Sequence, residues 1–278
     1  MVSTLSKTWG LYSRIPDPAR IILSITPFVL LIVVYLFASH LRHLENPNDK
    51  ILPTISQMAS AVYEASMVPE KRTGHYMMLS DTIASLKRIG IGVALAASLG
   101  LVMGVSMGLY PMMRALSLPL ITFISIIPPL SLLPILFVAI GVDEFAKSAL
   151  IFIGTFPLIT RDIHHAVEQI PSEQITKAMT LGVPQYSIAY AIVLPQMLPR
   201  LINSVRLCLG PAWLFLIAAE AIASTDGLGY RIFLLRRYLA MDLIIPYVLW
   251  ITIIGFSFDW LLKKVIAWEY SWYLVSAR

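Results

Sequence analysis

Three groups of residues have types and spacing that could do chemistry. Gly104-Val105-Ser106-Met107-Gly108 fits the G-x-S-x-G pattern of hydrolase nucleophiles. That pattern works where a strand turns sharply into a helix and presents the serine. Here it lies in a long apolar run with a small residue at every fourth position, from Gly92 to Gly108, so packing is the simpler reading. Asp162, His164, His165 and Glu168 carry metal-ligand atoms, and His164 stands one helical turn from Glu168. Adjacent histidines point apart on a helix, so a solvated polar face is the simpler reading. Glu220 is the one acid deep in a long apolar run. An acid in such a place is costly and is either paired or functional. Proton coupling is the sharp reading. A structural or gate position near the end of a span is the bland one.

The rest of the chain offers no catalytic apparatus. There is no Gly-Lys dipeptide, hence no P-loop. No H-E-x-x-H or credible Ser/His pair occurs. The single cysteine, Cys208, sits in an apolar stretch and reads as packing; it permits no intrachain disulfide. The net charge is +5, with basic residues scattered between apolar runs. That suits anionic lipid headgroups and excludes a nucleic-acid stripe.

The elements that must position these residues are membrane spans. The 278 residues are 58% hydrophobic and 13% charged, about half the ~25% charge of soluble domains. A spanning helix needs about 20 apolar residues. Ile21 to Ser39 is the clearest span, and it begins too late and runs too long for a cleaved signal peptide. A polar stretch from His40 to Asp81 follows, with an amphipathic helix expected near Ile55 to Ala65. Ile89 to Tyr110 is the second span, whose line of small residues predicts close packing on its neighbours. Ala115 to Ile140 is uncharged but carries Pro119, Pro128, Pro129 and Pro134. Proline breaks helical hydrogen bonding, so a bent or broken element is expected. Broken backbone at membrane depth is tolerated inside protein or along a water-filled cavity. Thr122, Ser125, Pro128, Pro129 and Ser131 are therefore candidates to line a pathway, with Glu220 as a sixth. Phe145 to Thr160, Leu201 to Ala223 and Leu243 to Leu262 complete six expected spans. Arg14 and Arg20 favour a cytoplasmic N-terminus, although basic residues divide almost evenly between the two sides.

Between the fourth and fifth spans the chain is polar and punctuated. Pro171 and Ser172 can start a short helix, and Gly182 can end it in a left-handed cap. Pro184 can open a second short helix, ending at Pro195. Thr176, Lys177 and Ala178, then Gly182, then Ile192, Leu194 and Pro195 resemble the cytoplasmic loop motif of permeases of ATP-binding-cassette importers. Five of seven positions match that motif; Thr176 and Lys177 depart from its Glu-Ala start. Ser85-Leu86 with Arg88, Pro128-Pro129-Leu130, Leu133-Pro134, Gly141, Glu144 and Lys147 resemble the nitrate, sulfonate, taurine and bicarbonate branch. So do Ala212-Trp213, Ala219-Glu220 and Gly227-Leu228-Gly229.

The resemblance implies an all-α polytopic protein with the type I importer permease fold. It divides the chain into a cytoplasmic segment 1–20, a first helix 21–40 and an external loop 41–80. A five-helix core 81–262, with its coupling loop at 161–200, and a cytoplasmic tail 263–278 follow. The implied function is passage of a small solute by alternating access, delivered by an extracytoplasmic binding protein; a sulfonate, nitrate or similar oxyanion is expected. The implied partners are a second permease copy, two ATP-binding subunits and the lipid bilayer. No cofactor is expected on this chain, with ATP and Mg2+ used by the partner ATPase. The expected location is the bacterial inner membrane, with both termini cytoplasmic. The alternative from another class is an ion-coupled secondary transporter, which would need charged groups along a path and often inverted repeats.

Overall fold

A computed structural model describes residues 15–46, 49–69 and 74–276, with side chains as far as Tyr273. Expectations resting on Lys7, Arg14, Pro47, Asn48, Glu70, Lys71, Arg72 and Arg278 lie outside the described residues. Among those described there is no strand. The helices, in chain order, are α1 (Asp17–Glu45), α2 (Ile55–Met67), α3 (Met77–Leu109), α4 (Pro111–Ile126), α5 (Leu133–Ile140) and α6 (Glu144–Glu168). They continue as α7 (Ser172–Thr180), α8 (Gln185–Ala223), α9 (Leu228–Arg236), α10 (Met241–Glu269) and α11 (Ser271–Ser276).

Helices α1, α3, α8 and α10 are long and apolar enough to cross a membrane, and α4 with the chain to Ile140 makes a fifth span if that bent pair counts as one. The remaining expected span is α6, which carries too many charges to pass on hydropathy. Several of its polar residues find partners inside the bundle: Lys147 meets Ser224, and Asp162 meets Arg200 and Ser204.

The core is organised by α3 and α6. A side chain at Gly92 would meet Ile151, at Gly100 Ile159, at Gly104 Ile163 and at Gly108 Val167. The partners advance in step with the glycines, so the two helices run parallel in constant register. Each missing β-carbon lets the backbones approach, which is how helices associate where lipid removes the hydrophobic drive. At Gly104 the added carbon would lie 2.8 Å from the Thr160 carbonyl oxygen, which cannot swing away. We therefore expect Gly104→Ala to lower the thermal midpoint of the detergent-solubilised protein by several degrees, a loss of about 1–3 kcal/mol as for an overpacked core. An unchanged midpoint would show that the helices separate at no cost.

The third segment is broken as its prolines require. Ile127 and Pro128 each precede a proline and each adopts extended backbone, ψ 124° and 117°. A single 3-10 turn over Pro129–Leu132 follows, and the two halves meet at 87°.

By contrast, α1 stands apart. None of its most apolar window is buried. Among the described residues it is tied down near its C-terminal end, where Tyr35 Oη donates to the Pro53 carbonyl at 2.7 Å and Arg42 pairs with Asp49 at 2.9 Å. A helix apolar all round is a membrane span or a buried core helix. Thr54 starts α2 with a capping box: its hydroxyl accepts from the Gln57 N–H, and the Gln57 side chain accepts from the Thr54 N–H.

Candidate functional site

Two polar assemblies occupy opposite ends of the α3–α6 pair. The first is the helix-turn-helix. Its opening helix, α7, presents Thr176 and Lys177 outward and buries Ala178. At its end the Val183 N–H donates to the Ala178 carbonyl and the Gly182 N–H to the Met179 carbonyl, with Gly182 at φ +76°. This is a Schellman cap, which needs a left-handed residue. Nothing lies within 4 Å of where a Gly182 side chain would start. Of the remaining motif residues, Ile192 and Leu194 are half-buried and Pro195 is exposed.

The second short helix differs from expectation. It does not end at Pro195. One α-turn, Gln185–Ile188, passes into a π turn, Ala189–Val193, and the chain continues as α-helix to Ala223. Proline lacks an N–H and clashes with the carbonyl four residues back. The wider π turn just before Pro195 absorbs that clash, so the helix survives it. Turn and span are thus one 39-residue helix, α8.

Above α7, the last turn of α6 carries charge that the sequence reading treated as solvated. Asp162 instead faces inward, accepting from Arg200 Nε at 2.9 Å and from the Ser204 hydroxyl. On α10, Asp259 takes Arg206 at 2.9 Å. Arg161 donates to the Ser125 hydroxyl at 3.0 Å, linking α6 to the segment before the break. Of the pathway candidates, Thr122, Ser125 and Pro129 are half-buried, while Pro128 and Ser131 are exposed.

The second assembly gathers residues far apart in sequence. Arg88, 1% exposed, donates from Nη1 to Glu220 at 2.7 Å and from Nη2 to Glu144 at 2.8 Å. Nη2 also reaches the Asp226 carboxylate. Glu220 has no exposed surface. Its carboxylate accepts from the Ser85 hydroxyl at 2.8 Å and the Gly229 N–H at 2.8 Å, besides Arg88. Lys147 bridges Glu144 at 2.7 Å and the Ser224 hydroxyl at 3.0 Å. Alongside, Asp81 accepts from Arg231 Nε at 2.8 Å, the Tyr247 hydroxyl at 3.1 Å and the Gly227 N–H at 3.0 Å.

Backbone closes this assembly as much as charge does. A β-carbon at Gly227, where φ is +110°, would fall 2.5 Å from the Glu220 carboxyl and 2.6 Å from Arg88 Nη1. One at Gly229 would fall 2.8 Å from the Ile217 backbone. The glycines of Gly227-Leu228-Gly229 thus allow the start of α9 to lie directly on the ion pairs. The network clamps α3, α6, α8, α9 and α10 together at one end of the bundle.

These placements correct one expectation. Glu220, a pathway candidate, has no exposed surface in the protomer and is the buried anchor of the network. Arg231, before the last span, neutralises buried Asp81. Sequence reasoning missed Asp81 and Lys147 as partners. The available signal was that charges flanking apolar runs must find counter-charges in lipid.

Comparison with known proteins fits this architecture. Residues 96–267 match the family described as binding-protein-dependent transport system inner membrane component. The chain is 33% identical over 196 residues to a probable ABC transporter permease protein of Brucella abortus, covering 69% of this chain and 78% of that one. It is 32% identical over 176 residues to the taurine transport system permease protein TauC of Escherichia coli, covering 63% and 64%. It is 32% identical over 195 residues to the bicarbonate transport system permease protein CmpB of Synechococcus elongatus, covering 70% and 69%. The fold matches a chain of the MetNI methionine ABC transporter in an inward-facing conformation, with TM-score 0.54 and 21% identity over 66% of this chain and 93% of that one. With the motif residues at the loop, the charge clamp at the far end and these likenesses together, the chain belongs to the binding-protein-dependent inner membrane components, the ABC transporter permeases, and is a transport subunit rather than an enzyme.

Proposed function

We propose that this permease forms a homodimer, binds two ATP-hydrolysing subunits through α7 and the start of α8, and imports a small oxyanion delivered by a binding protein. The observation that carries the reading is the joint between loop and span. A Schellman-capped helix meets, across one turn, a helix that continues 39 residues through the bundle. A displacement applied at α7 passes into a rigid rod rather than into slack chain. With the N-terminus cytoplasmic, α7 lies on the ATP side and the Arg88 network on the external side.

The broken third segment suits the pathway. Its turn at Pro128 and Pro129 exposes Ser131, and Ser125 reaches Arg161. The oxyanion rests on the relatives' names, taurine and bicarbonate. Ion coupling would need an available acid at membrane depth, and Glu220 is fully engaged by Arg88, Ser85 and Gly229.

The assembly is tested by native mass spectrometry of the permease co-expressed with its ATPase. The expected mass is that of two permeases and two ATPases. A stable permease monomer with no ATPase attached would sink the proposal.

A further inference from the structure

We infer that the last turn of α6 is a binding site for one borderline divalent transition cation, of which Zn2+ is the type. Its ligands are His164 Nε2, His165 Nδ1 and Glu168 Oε2. The three side chains come from a single helical turn, and their ligand atoms all lie within 4.8 Å of one another.

Two of the three edges between ligand atoms suit a small ion. Bonds of about 2.0–2.1 Å at tetrahedral angles put neighbouring ligand atoms about 3.4 Å apart. Glu168 Oε2 lies 3.6 Å from His164 Nε2 and 3.4 Å from His165 Nδ1. The first separation is too long for a hydrogen bond and close to a ligand edge.

An independent observation points to a ligand. His164 is 0% exposed, yet neither of its ring nitrogens has a hydrogen-bond partner among the described residues. Buried polar groups are nearly always partnered. A cation on Nε2 would give one of the two nitrogens a partner. The other two ligands leave a way in, because the His165 and Glu168 side chains are 59% and 29% exposed.

The carboxylate is already aimed. Arg114, at the start of α4, holds Glu168 Oε1 at 2.5 Å. That leaves Oε2 turned toward both imidazoles. Ligating carboxylates are commonly fixed by such an outer partner. Arg114 also brings a positive charge to the site, which opposes a dication and sets the affinity below that of a closed structural site. Two imidazoles and one carboxylate favour Zn2+ over Mg2+ or Ca2+, which take oxygen ligands. A fourth position stays open to water. The site stands immediately before Ile170, Pro171 and α7.

The test is calorimetric titration of Zn2+ into the whole chelator-stripped complex, without nucleotide. Wild type is expected to show one site per permease copy beyond those of the His165→Ala complex, or to bind there at least about tenfold tighter. His165 is exposed, so this variant keeps the fold even where His164→Ala does not assemble. Glu168→Gln is expected to lose the same site. Millimolar Mg2+ should not displace the zinc. Equal stoichiometry and affinity in wild type and His165→Ala would overturn the inference, as would displacement by Mg2+.

Discussion

Gly182→Asp will leave the permease folded in the membrane and cut substrate-stimulated ATP hydrolysis by at least about tenfold, equivalent to ~1.4 kcal/mol of lost coupling. Two features of the residue separate the effects. Its φ of +76° puts a side chain in the left-handed region, at a cost of about 1 kcal/mol or more. Aspartate tolerates that region better than most residues, so the cap should loosen rather than fail. Around it, nothing within 4 Å obstructs a new side chain. The permease itself therefore gives no steric reason for a large loss; on the proposed docking, the loss comes from the ATPase surface against α7. Gly182→Ala carries the backbone strain with little bulk and no charge, and should keep most of the activity. The measurement is ATP hydrolysis by the reconstituted complex with and without loaded binding protein, beside the thermal midpoint of the permease. Wild-type stimulation in Gly182→Asp would remove the loop from the coupling path. A collapsed midpoint would instead place the damage in the permease.

How much of this was legible in sequence depended on whether the cause was local. The cap at Gly182 and the amphipathic helix near Ile55 are each written within a few residues and stand where the sequence placed them; the break expected within Ala115 to Ile140 falls at Pro128-Pro129, while Pro119 is carried inside a helix. The glycine line of α3 predicted close packing, though not that the partner would be α6. Helix ends were misjudged wherever charge was taken as a stop. The second span was expected from Ile89, yet α3 begins at Met77 because Asp81, Ser85 and Arg88 are satisfied inside the bundle. The fourth was expected to end at Thr160, yet α6 runs to Glu168 because Asp162 finds Arg200. The Arg88 network joins positions as much as 166 residues apart. No window of sequence shows such a match. What sequence offered was one charged or small residue in each of several motifs; their convergence is a property of the fold.

Arg88→Met should be the most damaging single change in the bundle, costing about 3–5 kcal/mol, as when one partner of a buried ion pair is removed. The cost falls unevenly on the three carboxylates it deserts. Glu144 and Asp226 have side chains 61% and 47% exposed, so water or headgroups can solvate them. Glu220 has no exposed surface. It would be left charged among apolar side chains, with only the Ser85 hydroxyl and the Gly229 N–H to hold it. Glu220→Gln alone should be much milder, because Arg88 keeps Glu144 and Asp226, and the new amide oxygen can still accept from Ser85 and Gly229. The informative variant is the double one. Adding Glu220→Gln to Arg88→Met removes the stranded charge, so it should recover part of the lost stability even though it deletes one more native group. Residues in one network are non-additive by about 0.5–3 kcal/mol, and here the sign is fixed in advance as recovery. Thermal midpoints of the detergent-solubilised variants, read by size-exclusion chromatography after heating, decide it. If Arg88→Met is as stable as wild type, or if the double variant is less stable than Arg88→Met, then Glu220 is not the group that Arg88 holds in place, and the clamp across α3, α6, α8 and α9 rests on something else.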